Sequence, residues 1–287
     1  MIEFSVAEKI NVHIDTASMS RVCVDFLKMI YKDFAVPVES PLKVLRVRVA
    51  DIKAPEEDLV KLGGDAFYNS GVLYLASGHF YKKIGNELEV VIPTRVKRGR
   101  VPFRRSTPGR HVSDEIIEPL LVILLQGMGI SCYHASSILG EDGEAVVNIA
   151  WRGTGKTDAV LPYIFEGSVL SDDLSLVDEV EGVLYAYPRP LRLYRYNIDR
   201  LSIDDAAKAK LRLKSKVTPP WQPVKYISLN PNQLSVKKYR KVYLNELRSK
   251  VCHGDSFNMD ELFKNITDFE FSYFDSTKAM LEMARVI

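Results

Sequence analysis

Cysteine is scarce in this 287-residue chain: Cys23, Cys132 and Cys252 stand far apart and match no zinc spacing. That excludes a disulfide framework and fits a reducing, cytoplasmic setting. Histidine is also scarce, with five residues, and His13, His79 and His111 show no ligand spacing. Charge of neither sign is in excess. Lys and Arg number 39 against 37 Asp and Glu, a formal net charge of +2, so no global field calls for a nucleic acid or a membrane surface. The longest apolar run, Pro119 to Leu125, is far too short to cross a bilayer. Met1-Ile2-Glu3-Phe4-Ser5 has neither the basic nor the apolar region of a secretory signal. Internal repeats and low-complexity tracts are lacking as well. What remains is an ordinary globular composition, 46% hydrophobic and 26% charged, long enough for two domains or one large one.

The pattern is that of an α/β protein with an accessory domain over 1–110 and a catalytic domain over 111–287. Residues 2–6 and 10–14 alternate as paired strands. A helix is expected over 19–34, with Val22, Phe26, Ile30 and Phe34 on its apolar stripe. Residues 44–49 read as a strand. Two hairpins follow, 67–75 turning at Asn69-Ser70-Gly71 and 80–92 turning at Gly85-Asn86. The segment from Arg95 to Arg110 is crowded with basic residues, prolines and glycines. It reads either as a solvated linker or as a clamp for a nucleotide or an acidic acceptor. Phe103 is its one aromatic, whereas nucleic-acid binding favours aromatics interleaved with charge. Ser113 is placed to cap a helix with Asp114 and Glu115 in its first turn, and Pro119 starts it late or kinks it.

Beyond Cys132, residues 133–139 and 145–150 form a hairpin around Gly140-Glu141-Asp142-Gly143. Residues 157–165 form a helix ended by Gly167, and 169–172 a short strand. A further hairpin joins 174–177 to 183–187 near Glu181-Gly182. Helices are expected near 203–213, 242–251, 259–266 and 277–285. His253 beside Asp255 reads as a turn and cap before a helix.

The most informative segment is Asn148-Ile149-Ala150-Trp151-Arg152-Gly153-Thr154-Gly155-Lys156-Thr157. It has the form of a strand entering a phosphate loop, with Ala150 at the first position of G-x-x-x-x-G-K-[ST]. In such a loop the backbone N–H groups and the helix dipole meet a polyphosphate. Lys156 reaches the β- and γ-phosphates, and the Thr157 hydroxyl holds Mg²⁺. Asp172 and Asp173 begin sixteen residues after Lys156, enough for one short helix and a return strand. One carboxylate of such a pair helps bind metal, while the other orients or deprotonates an acceptor hydroxyl.

His134-Ala135-Ser136, the hairpin, Gly153-Thr154-Gly155-Lys156-Thr157 and Leu170-Ser171-Asp172-Asp173 together resemble the catalytic domain of HPr kinase/phosphorylase. The loop is also similar to that of ATP-dependent phosphoenolpyruvate carboxykinase. Tyr187-Pro188-Arg189-Pro190-Leu191-Arg192-Leu193 looks like the segment that kinase relatives carry after the acidic strand. The resemblance spans roughly 134–193. It implies an HPr kinase/carboxykinase-like P-loop domain of mixed sheet and helices, behind an accessory α/β domain.

The implied activity is transfer of the γ-phosphoryl group of ATP, with Mg²⁺, to a serine-type hydroxyl on a peptide, protein or small metabolite. Gly153, Thr154, Gly155, Lys156 and Thr157 then bind triphosphate, and Asp172 accepts the hydroxyl proton. Thr157 and Asp173 serve the metal, with Asp173 alternatively orienting Asp172, while His134 modulates the carboxylates. Arg189 and Arg192 steady transferring phosphate, since guanidinium matches phosphate bidentately. The resemblance also favours a homo-oligomer. No Gly-Ile-Gly signature follows downstream, which points to an acceptor other than HPr. Three alternatives stand beside this reading: a catalytically inactive nucleotide-binding sensor or scaffold, a carboxykinase-like phosphotransferase, and a nucleic-acid binder using Arg95 to Arg110.

Overall fold

The structure, a computed structural model, describes residues 1–52, 60–63, 66–69, 71–75, 79–94, 108–150, 154–206, 208 and 225–244. The architecture is mixed α/β, with mixed sheets and a few short helices. The chain divides into two compact units, one covering Met1–Met128 and the other beginning at Gly129. The expected boundary after residue 110 is therefore corrected. The helical stretch beyond it belongs to the first unit because it packs on the first helix there.

The first unit is built on β1 (Ile2–Val6), β2 (Ile10–Ile14), β3 (Lys43–Val49), β4 (Val60–Gly63), β5 (Ala66–Asn69), β6 (Val72–Leu75), β7 (Phe80–Ile84) and β8 (Glu87–Ile92). They form one sheet in the order β1-β2-β3-β8-β7-β6-β5-β4. β2, β3 and β8 run parallel, and the other pairs are antiparallel. The parallel step from β2 to β3 requires a crossover, supplied by α1 (Arg21–Tyr31) and a 3₁₀ turn at Lys32–Phe34.

Strand alternation puts Phe4, Val12, Leu45 and Val90 on the buried face, and Phe4 stacks on Tyr31 of α1 at 3.8 Å. The opposite face carries a charge ladder. His13 Nδ1 meets Glu3, Arg46 pairs with Glu87 at 2.8 Å, and Arg48 pairs with Glu89 at 2.7 Å.

The buried stripe of α1 is Cys23, Leu27, Ile30 and Tyr31. Val22, expected inside, is 66% exposed, because the helix is rotated to bring Tyr31 under Phe4. Ser113 does not start its helix either. The chain is already helical in α2 (Pro108–Arg110), widens into a π-helical turn at His111–Ile117, and continues as α3 (Glu118–Gln126). Pro119, which has no N–H to donate, lies where the wider turn ends, and the Glu118 N–H just before it bonds back to Ser113 O.

The second unit holds β9 (Ile130–Tyr133), β10 (Ala135–Leu139), β11 (Ala145–Ile149), α4 (Lys156–Val160), β12 (Val169–Ser171), β13 (Ser175–Asp178), β14 (Val183–Tyr185), β15 (Leu191–Leu193), α5 (Arg195–Arg200), β16 (Lys225–Ile227), β17 (Ser235–Val236) and β18 (Tyr239–Tyr243). Two four-stranded sheets have the orders β12-β10-β11-β18 and β17-β14-β13-β9, and β15 pairs with β16 in a ribbon. One core cluster includes Ile138, Val160, Val169, Leu191, Leu193 and Ile198, so α4 and the ribbon cover the first sheet.

The run 133–139, expected as one strand, is two. β9 belongs to the second sheet and β10 to the first, with the change at His134. β12 and β13 change sheets in the same way across Asp172-Asp173-Leu174. Because β10 pairs with β12 and β9 with β13, antiparallel in both cases, the two crossings lie side by side. The sheets are further tied by Lys241 of β18, which donates to the Tyr133 hydroxyl at 2.9 Å, while that hydroxyl donates to Glu179. Residues 242 and 243, expected to begin a helix, are strand instead, pairing parallel to β11. Residues 95–107, 259–266 and 277–285, most of 203–213, and Cys252, His253 and Asp255 lie outside the described residues.

Candidate active site where two strands change sheets

The residues from the expected phosphate loop, the acidic pair and His134 converge at the paired crossings. β11 ends at Ile149, and Ala150 is fully buried. Among the described residues, those other than glycine with positive φ are Ala7, Glu8 and Asp173. Ala150 therefore needs no left-handed backbone, and its methyl replaces glycine without that strain. Trp151, Arg152 and Gly153 lie outside the described residues. The chain re-enters at Thr154 and bends through Gly155, whose φ of +102° suits glycine. α4 then starts at Lys156, and the Ser136 hydroxyl of β10 donates to the Lys156 carbonyl at 3.0 Å, fixing the helix start to the sheet.

Lys156 is 6% exposed. Its ammonium donates to Ala150 O at 3.1 Å, contacts His134 Nε2 at 2.8 Å and lies 3.6 Å from Asp173 Oδ1. His134 Nδ1 is 3.3 Å from the same Asp173 oxygen, and Arg189 Nη1 is 3.2 Å from the other. Asp173 thus gathers three basic side chains, from a backbone at φ +67°. Asp tolerates that conformation better than most residues.

Asp172 points elsewhere. Its Oδ1 accepts from the Thr157 hydroxyl at 3.3 Å, and its Oδ2 from the Arg192 backbone N–H at 3.5 Å. The Thr157 hydroxyl therefore meets Asp172, not the Asp173 expected to share the metal with it. Thr154 is half-buried beside the loop.

The two carboxylates are pushed in opposite directions. Burial and then the neighbouring Asp173 charge raise Asp172 to about 6, against the opposing pull of Arg189 and Arg192. Burial also disfavours ionised Asp173. There Arg189, His134, Lys156 and Arg192 outweigh it and hold the group well below the usual carboxylate range. Two adjacent carboxylates with separated proton affinities are what acid–base chemistry requires.

Sequence reasoning overlooked the hydroxyls that brace this crossing. Ser175 Oγ donates to Ala135 O at 3.2 Å and so accepts from Ser171 at 2.7 Å, which in turn accepts from Ser137 at 2.6 Å. All three are fully buried. Their signal was serine at inward strand positions that apolar residues otherwise fill.

Among the described residues no group of three or more His, Cys, Asp or Glu forms a metal cage. Mg²⁺ does not need one, because it is commonly held by one or two carboxylates, water and substrate phosphates. Thr157 and the neighbouring carboxylates are oxygen donors of that kind. No helix among the described residues is long and apolar enough to cross a membrane. The chain matches no protein-family model, and no curated protein matches it.

Proposed function

We propose that the second unit is an ATP-dependent kinase domain, similar in its site to HPr kinase, that phosphorylates a serine-type hydroxyl on a peptide, protein or small metabolite. One observation carries the reading: Lys156 and Thr157 meet Asp172, Asp173 and His134 at a single point, although they come from three separate segments of the chain. Phosphoryl transfer is mainly positioning and charge neutralisation, and this set supplies both. Lys156 and Arg189 are placed to exchange Asp173 for phosphate oxygens. Thr157 with Asp173, released by that exchange, would hold Mg²⁺, which supplies charge neutralisation along the phosphates.

In the reaction the acceptor oxygen forms a bond to the γ-phosphorus. The bond from that phosphorus to the β–γ bridging oxygen breaks, and ADP leaves with the electron pair. Asp172 takes the acceptor proton, a role suited by its raised proton affinity. Arg192 steadies the segment through its backbone N–H and adds positive charge. A cytoplasmic setting is in keeping with Cys23 and Cys132, both free thiols.

The test is ADP release from Mg·ATP with a panel of hydroxyl acceptors. Turnover is expected in the wild type and its loss in Asp172→Asn, with nucleotide affinity retained. Unchanged turnover in that variant rejects Asp172 as the base. A second reading, a nucleotide-binding sensor that transfers nothing, is favoured by one fact: Asp172 is only 2% exposed, out of an acceptor's reach in this arrangement. It is distinguished by tight Mg·ATP binding with no ADP released on any acceptor.

A further inference from the structure

A triphosphate at Lys156 still needs a place for its nucleoside. Thr157 turns its hydroxyl to Asp172. Asp158, the next residue of α4, lies about 100° further round the helix and faces α5 instead. Both Asp158 oxygens are engaged there: Oδ1 accepts from Asn197 Nδ2 at 2.8 Å, and Oδ2 accepts from Arg200 Nη1 at 2.9 Å. Asn197 is 1% exposed, and its Oδ1 accepts from the Tyr194 backbone N–H at 2.9 Å. One buried amide therefore fixes the start of α5 against the first turn of α4.

On either side of the helix start, Tyr194 and Tyr196 stack with ring centroids 5.6 Å apart and planes 11° from parallel. Tyr196 is 54% exposed. Its hydroxyl is pushed up by burial and then by the nearby Asp158 charge.

We propose that Tyr194 and Tyr196 form a stacking platform for the aromatic base of a nucleotide. The inference rests on the phosphate-loop reading of Lys156 and Thr157. With the γ-phosphate end directed to Thr157 and Asp172, the nucleoside leaves the loop on another side of the α4 turn, and α5 borders the side of Asp158. Arg200 compensates the Asp158 carboxylate, so an approaching phosphate does not meet an isolated negative charge. The Tyr194 backbone is held by a buried, hydrogen-bonded amide and the two rings by their mutual stack, so little ordering is lost when a base stacks on them. Stacking on ring faces reads no base edge, and every nucleobase has a π-face to offer. The platform therefore accepts adenine and guanine alike.

Calorimetric titration of the full chain with Mg·ATP, Mg·GTP and inorganic tripolyphosphate plus Mg²⁺ tests this. Tyr196→Ala is expected to weaken both nucleotides by about 5- to 150-fold and to leave tripolyphosphate unchanged. Tyr196→Phe retains all three affinities, and Lys156→Ala loses them all. The platform is overturned if Tyr196→Ala binds ATP as tightly as wild type, or if it weakens tripolyphosphate as much as ATP. In the first case intact tripolyphosphate binding leaves the phosphate loop standing. A wild type that binds neither ATP nor tripolyphosphate overturns both readings together.

Discussion

The Lys156 ammonium and His134 Nε2 meet at 2.8 Å, and this contact fixes the tautomer of the histidine. An ammonium can only donate, so Nε2 carries the lone pair and the ring proton sits on Nδ1, facing Asp173 Oδ1 at 3.3 Å. Lysine, imidazole and carboxylate thus close a cycle in which Asp173 also receives Lys156 directly. The cycle holds the lysine against the loop carbonyl of Ala150, poised at the place where a phosphate would replace Asp173.

Replacing the lysine tests whether that place binds nucleotide. At a hundredfold excess over Kd, Mg·ATP should stabilise the wild type by about 2.7 kcal/mol. That corresponds to a rise of roughly 5–10 °C in the unfolding midpoint. Lys156→Ala should show no rise under the same conditions. Scanning fluorimetry of both proteins decides it, and a wild type that does not respond to Mg·ATP removes the phosphate loop from consideration.

The left-handed backbone of Asp173 separates two substitutions that remove the same charge. Asp173→Asn and Asp173→Ala both take away the carboxylate that Arg189 and Lys156 face. Breaking a buried pair of this kind costs about 2–4 kcal/mol, toward the lower side because a quarter of the Asp173 side chain is exposed. Asn accepts φ near +67°, whereas Ala adds about 1 kcal/mol of strain. Chemical denaturation should therefore rank wild type above Asn and Asn above Ala. Equal stabilities for Asn and Ala would contradict the strained backbone.

Gly109→Ala pits helix propensity against packing. Propensity favours Ala in a helix by about 1 kcal/mol. A Cβ at this position, however, would lie 2.7 Å from Phe26 Cδ1 and 2.8 Å from Phe26 Cβ. Phe26 Cβ cannot move without its helix, so overpacking should prevail, with a net loss of about 1–3 kcal/mol. A lowered unfolding midpoint with unchanged Mg·ATP affinity is expected. A raised midpoint would show that α1 and α2 do not approach as closely as the structure has them.

Elements written in local patterns were legible, and those set by distant partners were not. β1, β2, β3 and the hairpins at Gly71, Gly85-Asn86 and Gly143 follow from alternation and turn glycines. The stripe of α1 was misplaced because Val22 and Cys23 fit helical spacing equally well, and only the stack of Tyr31 on Phe4 selects between them. The change of sheet at His134 left no mark, since the residues on both sides are equally apolar or small. Residues 239–243 are strand because β11 offers a partner edge, a tertiary effect that local propensity does not carry. In the site, Lys156, Thr157, Asp172 and Asp173 follow from the loop motif and its spacing to the acidic pair, and His134 from the resemblance to HPr kinase. Which carboxylate meets Thr157 and which gathers the basic side chains was not legible, because it depends on which way each side chain leaves a turn. Asn197 and Arg200 were missed because their partner, Asp158, lies on a different helix.

Asp172→Asn should trade activity for stability, and pH reveals the trade. A carboxyl whose proton affinity is raised on folding binds more protons in the native state than in the unfolded one. Stability then falls as pH rises from the ordinary carboxylate range to the folded value, here from 3.8 to about 6. Asn cannot ionise and escapes that loss. Its carbonyl still accepts from Thr157, and it forfeits only the long contact from the Arg192 N–H at 3.5 Å. Asp173 acts in the opposite sense, with stability present above the ordinary carboxylate range and lost as pH falls through its depressed folded value. That contribution is retained in the variant. The midpoint of Asp172→Asn relative to wild type should therefore climb between about pH 4 and pH 6 and stay level above. The gain is on the order of 1–3 kcal/mol, or roughly 3–10 °C, while turnover is lost. Unfolding midpoints of the two proteins that run parallel from pH 4 to pH 7 would show that the native state does not hold an ionised Asp172 at a disadvantage. The case for Asp172 as the proton acceptor would fall with it.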